Sequence, residues 1–140
     1  MVMEKGGGND SMKITAYVVL TVCFALAVCV LPAEAAASVK FVATDVYWSG
    51  PYRLVVEGYF LNNGTKLITG ITHFELTAYA VHSGQRLYLG NAVWRGHDKL
   101  EDVRLYPGET STWTFTINTE RYIDFSYWEV DSYYEYNFLR

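Results

Sequence analysis

Between residues 38 and 136 apolar and polar side chains alternate in short runs, and no stretch longer than ten residues keeps a 3.6-residue period. The clearest run is Thr112-Trp113-Thr114-Phe115-Thr116-Ile117, where successive side chains of an extended chain point to opposite faces. Trp113, Phe115 and Ile117 then face a core and the three threonines face water, as in a half-buried antiparallel strand. Leu54, Val56, Gly58 and Phe60 form a similar face, and so do Phe74, Leu76, Ala78 and Ala80. Turn residues separate the runs at Ser49-Gly50-Pro51, Asn62-Asn63-Gly64-Thr65, His82-Ser83-Gly84-Gln85 and Tyr106-Pro107-Gly108-Glu109. Asn63-Gly64 tolerates positive φ and is expected to close a tight hairpin. Strands are expected at 38–48, 53–62, 67–81, 86–94, 111–118 and 122–136. Six or seven short strands punctuated by turns predict an all-β fold, an antiparallel sandwich of two sheets.

The last of these segments changes phase. Ile123, Phe125 and Tyr127 fall on one face, whereas Trp128, Val130, Tyr134 and Tyr136 fall on the other. A bulge near Tyr127-Trp128 would return both sets to one inward face. Alternatively both faces of this strand are covered, the second by a partner or by the chain end.

Ahead of the alternating region the pattern is different. Ile14 to Leu31 is almost unbroken apolar sequence, preceded by Lys13 and followed by Pro32-Ala33-Glu34-Ala35-Ala36-Ala37. A basic residue, an apolar run and small residues at the first and third positions before a cut make a helical secretory signal peptide. Cleavage between Ala35 and Ala36 divides the chain into a leader, 1–35, and a single domain, 36–140. A membrane anchor is the competing reading, because the run approaches the roughly 20 residues that span a bilayer, but the alanine cluster fits processing better. Lipidation at Cys29 would need a smaller residue than Val28 before the cysteine. The codons of Lys5-Gly6-Gly7-Gly8 form a purine-rich run just upstream of Met12, as a ribosome-binding site does, so Met12 is the expected start and the source bacterial.

With the leader set aside, composition narrows the function. Nine Lys and Arg against twelve Asp and Glu give residues 36–140 a net charge of −3, with no basic stripe to follow a phosphate backbone, so nucleic acid is not expected as a partner. Both cysteines, Cys23 and Cys29, lie in the leader, so the domain forms no disulfide although an exported protein could. Stability has to come from packing. All four Trp, eleven of twelve Tyr and six of seven Phe lie in the domain, and each ring buries about 150–250 Å².

The run Leu54-Val55-Val56-Glu57-Gly58-Tyr59-Phe60-Leu61-Asn62-Asn63-Gly64 is followed by Phe74-Glu75-Leu76-Thr77-Ala78-Tyr79 and by Ser83-Gly84-Gln85. Leu105-Tyr106-Pro107-Gly108-Glu109 and Trp113-Thr114-Phe115 complete the order. Over about residues 53–117 this resembles the small immunoglobulin-like sandwich domains of secreted bacterial proteins, the FxLYD and S-layer-associated (SLAP) types. The resemblance implies a non-catalytic module of the envelope or cell surface, secreted or periplasmic. It goes no further, since one fold hosts many functions.

Candidate chemistry is sparse. A catalytic thiol is excluded from the domain, no Gly-x-Ser-x-Gly or phosphate-binding glycine loop occurs, and His73, His82 and His97 have no paired spacing. No enzyme and no cofactor are expected. His97, Asp98, Glu101 and Asp102 could offer oxygen and imidazole ligands to a divalent cation, but they lack the spacing and turn glycine of a calcium loop and read as a solvated polar segment. Asn63-Gly64-Thr65 is formally a glycosylation acceptor and reads first as a turn. The aromatic surplus carries the functional content. Tyr47, Trp48, Tyr52, Trp94, Trp128, Tyr133, Tyr134 and Tyr136 are the candidate binding residues, beside Tyr88, because one small sandwich cannot easily bury them all. They point to docking of a protein partner or to self-association, with carbohydrate binding as the alternative. Contact with a membrane is expected only through an uncleaved leader.

Overall fold

The structure, a computed structural model, describes residues 4–8, 13–14 and 36–140. Met12 and residues 15–35, which hold most of the expected leader and Ala35 of its cleavage site, lie outside the described residues. The strands are β1 (Glu4–Gly8), β2 (Lys13–Ile14), β3 (Val39–Gly50), β4 (Arg53–Asn62), β5 (Ile68–His82), β6 (Gln85–Arg95), β7 (Thr110–Asn118) and β8 (Tyr127–Phe138). One helical turn, α1 (Asp98–Glu101), lies between β6 and β7.

From Ala36 onward the strands form two antiparallel sheets of three, in the orders β3-β4-β7 and β8-β5-β6. Numbered along the domain, the first sheet holds strands one, two and five and the second holds six, three and four. This is the connectivity of an immunoglobulin-type sandwich that lacks its last strand. β8 therefore has a single strand partner, β5, within residues 36–140. Outside them, β1 lies parallel along the other edge of β8 and β2 pairs antiparallel with β1. The glycine-rich stretch at Lys5 to Gly8, which the sequence reading set upstream of the expected start at Met12, thus pairs along that edge of β8.

The inward faces are those set by the alternation. Leu54, Val56 and Phe60 of β4 and Phe74, Leu76, Ala78 and Ala80 of β5 are buried, and Phe115 and Ile117 of β7 meet them from the same interior. Phe41, Phe60, Phe74 and Phe115 form its centre, with ring centroids 4.8 Å apart for Phe41–Phe74 and 4.9 Å for Phe60–Phe74. Such tilted and edge-on pairs add about 0.5–1.5 kcal/mol each beyond the area they bury.

Two turn expectations have different outcomes. Ser83 and Gly84 both have positive φ, 49° and 77°, and close a two-residue hairpin between His82 and Gln85 whose twist suits the strands it joins. Asn62 to Thr65 forms no hairpin, because β4 and β5 belong to different sheets and the segment crosses between them. Asn62 is fully buried there; its Nδ2 donates to the carbonyls of Lys66 (2.7 Å) and Leu105 (2.8 Å), and its Oδ1 accepts from Gly64 N. Asn63 accepts instead from the Ser38 hydroxyl.

The expected strand at 122–136 starts later, at Tyr127, and runs to Phe138. Its register with β5 is uninterrupted at Tyr127 and Trp128, so no bulge lies there. The change of phase marks the passage from loop to strand. Ile123 and Phe125 reach the core from the loop, whereas Trp128, Val130, Tyr134 and Tyr136 reach it from β8.

Candidate functional site

The expected binding residues do not form one surface. Tyr134 and Tyr136 are buried, with 3% and 1% of their surface exposed, and belong to the core. They offer nothing to a partner as the strand lies, because β8 presents its even-numbered residues inward. Tyr136 donates its hydroxyl to the Ala37 carbonyl at 3.2 Å, and burial pushes its phenol above the ordinary tyrosine value. Trp94 packs half-buried against Phe115 and Phe74, with centroids at 4.7 and 5.8 Å. Trp128 is likewise half-buried against the core, paired in register with Ala80.

Tyr133 and Tyr47 lie on outer faces, each held by a carboxylate. Tyr133 donates to Glu135 at 2.8 Å and Tyr47 to Glu57 at 2.9 Å. These bonds are the chief cause of raised phenol pKa values at both, since a hydroxyl that donates to a carboxylate resists ionisation. On the same outer face as Tyr133, Arg86 sits 3.8 Å over the Tyr79 ring and pairs with Glu129 and Asp131 at 2.9 and 2.7 Å. The face of the β8-β5-β6 sheet is thereby tied down by its own charges, and Tyr79 has one ring face taken.

Trp48 and Tyr52 define a different place. They stand at the β3–β4 turn, at the end of the sandwich opposite α1, where residues 119–126 fold over them. Trp48 Nε1 donates to the Ile123 carbonyl at 2.9 Å. Its indole lies against the Tyr122 ring, 4.9 Å between centroids, with Phe125 at 6.4 Å. Thr119 N donates to the Tyr52 carbonyl at 3.0 Å, and His82 Nε2 lies 3.2 Å from the Asp124 carbonyl. Three elements are pinned together here, and three tyrosines project from them: Tyr52 is 58% exposed, Tyr122 53% and Tyr127 74%. Beside this end, Tyr88, Gly90, Asn118, Thr119 and Arg121 line a cleft in which Arg121 donates to the Tyr88 carbonyl.

Trp48 and Tyr52 were legible in the sequence as candidates, but Tyr122 and Tyr127 were not. Placing 122–136 in one strand hid the loop; the polar run Thr119-Glu120-Arg121 and the phase change at Tyr127 are the signals that would have exposed it. His97, Asp98, Glu101 and Asp102 lie in and around α1, which buries Leu100 and packs on β5. Among the described residues no three His, Cys, Asp or Glu side chains converge as metal ligands would.

No protein-family model and no curated protein sequence matches the chain. Among solved structures the chain is similar to a β-glucosidase involved in saponin metabolism from intestinal bacteria, at 18% identity and a TM-score of 0.31. That match covers 56% of this chain and 11% of the other. The chain is also similar to Spo0M, a sporulation control protein from Bacillus subtilis, at 15% identity and a TM-score of 0.34, over 74% of this chain and 49% of that one. The chain therefore spans about half of the length of one and about a tenth of the other. Neither likeness bears on function, and neither adds support to the FxLYD or S-layer-associated resemblance.

Proposed function

We propose that the chain is an exported, non-enzymatic recognition module of the bacterial envelope that docks a protein partner through its aromatic end. The observation that carries this reading is the construction around Trp48. An indole fixed by a main-chain hydrogen bond packs against Tyr122, and Tyr52 and Tyr127 stand exposed at the same end of the sandwich. Tyrosine presents a large amphipathic area at low entropy cost, and clustered rings on a rigid base are how protein interfaces are anchored. The leader motif and the resemblance to secreted sandwich domains supply the compartment.

A photo-crosslinking amino acid placed at Tyr52 or Tyr122 in producing cells tests the reading. Discrete light-dependent protein adducts are expected from both positions, and none from Tyr106, which is 61% exposed at the opposite end. Equal labelling from all three positions, or none from any, would sink it. Binding on a glycan array that Tyr122→Ala abolishes would replace the protein partner with a carbohydrate.

A further inference from the structure

β6 and β7 are edge strands of opposite sheets, and at Gly90 the two edges meet. Gly90 is buried, and a methyl group there would lie 2.8 Å from Cγ2 of Ile117 and 3.0 Å from Cγ2 of Thr119. Next to it the register of β6 slips: Gly90 pairs with Ala78 and Tyr88 with Tyr79, which leaves Leu89 as the extra residue. Such a bulge bends an edge strand and re-aims its side chains. Here Leu89 is turned inward, 2% exposed, while Tyr88 stays 51% exposed. The bent strand and the chain leaving β7 enclose a cleft of about 600 Å³, within the roughly 300–1,000 Å³ of small-molecule sites. Tyr88 to Asn91 form one wall and Asn118 to Arg121 the other. The second wall is held at two points: Thr119 N donates to the Tyr52 carbonyl at 3.0 Å, and Arg121 Nη2 crosses the cleft to the Tyr88 carbonyl at 3.1 Å.

We infer that this cleft is a binding site for a neutral saccharide, a pyranose unit or a disaccharide. Its second wall presents an amide, a hydroxyl, a carboxylate and a guanidinium in succession, and the chain leaves most of them unused. Among the described residues no hydrogen bond or ion pair engages the side chains of Asn118 and Glu120, and Arg121 spends one N–H on Tyr88. Thr119 Oγ1 is buried in the same wall with no partner among the described residues, an unmet hydrogen-bonding group of the kind that calls for something from outside the chain. The chemistry of the wall excludes two ligand classes. Glu120 and Arg121 offset each other, so neither an anion nor a cation is selected. An apolar ligand would strip water from these groups and return no hydrogen bond. A pyranose meets both conditions. Its neighbouring hydroxyls donate to a carboxylate and accept from a guanidinium at once, and its C–H face suits the exposed ring of Tyr88. Because the wall is already held, little ordering is left for the ligand to impose. Tyr52, Tyr122 and Tyr127 do not line the cleft, so this assignment and the docking role of the aromatic end can fail separately.

Amide NMR titration of the full chain tests the assignment, with cellobiose, maltose, lactose and N,N′-diacetylchitobiose as neutral probes and the hyaluronan disaccharide as an anionic one. At least one neutral disaccharide is expected to shift the amides of Tyr88 to Asn91 and Asn118 to Arg121 saturably, and the anionic one to bind more weakly. Glu120→Ala and Arg121→Ala are each expected to weaken that binding at least about tenfold. Tyr122→Ala, at the docking end, and Tyr106→Ala, at the opposite end, are expected to leave it unchanged. Glu120 is exposed and pairs with nothing in the fold, so its variant reports on the ligand even if Arg121→Ala disturbs the contact with Tyr88. The absence of saturable shifts with every neutral disaccharide overturns the inference, as does undiminished binding by Glu120→Ala. Tighter binding of the anionic disaccharide would make the cleft an anion site and overturn it equally. Shifts confined to Tyr52, Tyr122 and Tyr127 would move the sugar to the aromatic end and leave the cleft without a role.

Discussion

A methyl group at Gly58 would lie 2.4 Å from the Val42 carbonyl oxygen and 2.5 Å from Cζ of Phe41. Val42 and Phe41 are on β3, the strand paired with β4, and the Phe41 ring is fully buried among Phe60, Phe74 and Phe115. The ring can move only by disturbing three others, and the carbonyl is fixed by the ladder. Glycine in mid-strand usually weakens a sheet; here its missing side chain is the space that the phenyl cluster occupies. Gly58→Ala is expected to cost about 1–3 kcal/mol through overpacking, seen as a lower urea midpoint with an unchanged m-value. Gly84→Ala serves as the contrast, because nothing lies within 4 Å of the added carbon and only the positive φ is strained. It is expected to cost about 1 kcal/mol. If Gly58→Ala were the milder of the two, the packing account of this position would be wrong.

Among the elements, those legible in the sequence were the ones whose two faces differ. β4 has the expected bounds, β5 and β6 differ from theirs by one residue at each end and β7 by one residue at its start, because alternation reports which face is buried wherever one face meets water. Alternation carries no information on which strand lies alongside. Asn62 to Thr65 has hairpin chemistry but crosses between sheets, and its role is seen only in the carbonyls that Asn62 reaches, one of them 43 residues away. The aromatic end was half legible for the same reason: Trp48 and Tyr52 flank a turn that the sequence shows, whereas Tyr122 depends on a loop disguised by apolar residues. The outer face of β8-β5-β6 shows a contact no local pattern reveals. Arg86 of β6 crosses Tyr79 of β5 to reach Glu129 and Asp131 of β8, tying all three strands. Each group is partly exposed, so the network is worth little per pair. Arg86→Ala is expected to lower stability by about 1 kcal/mol at low salt and by less in about 1 M salt. A loss that does not change with salt would assign the residue's contribution to packing on Tyr79 rather than to charge.

Across residues 36–140, which contain no cysteine, stability rests on rings, and this has a pH signature. Tyr136 is raised above the ordinary phenol value by burial, Tyr79 by burial and then by Asp131, and Tyr47 and Tyr133 chiefly by donating to Glu57 and Glu135. In each case the fold favours the protonated phenol. Below about pH 10, the value for tyrosine in an unfolded chain, both states keep the proton and the contribution is complete. Above it the unfolded chain ionises first, so stability falls as pH rises towards the raised folded values. Tyr136 separates this effect from general alkaline unfolding, since it is the buried member of the set and its hydroxyl has one named acceptor, Ala37 O. Tyr136→Phe keeps the ring and removes both the hydrogen bond and the titrating group. At about pH 8 the variant is expected to be less stable than wild type by about 1 kcal/mol. Between about pH 10 and pH 11.5 its urea midpoint is expected to fall less steeply, so that the two curves converge. Parallel curves over that range would mean that Tyr136 ionises alike in folded and unfolded chains, and the alkaline sensitivity would then belong to the tyrosines on the outer faces.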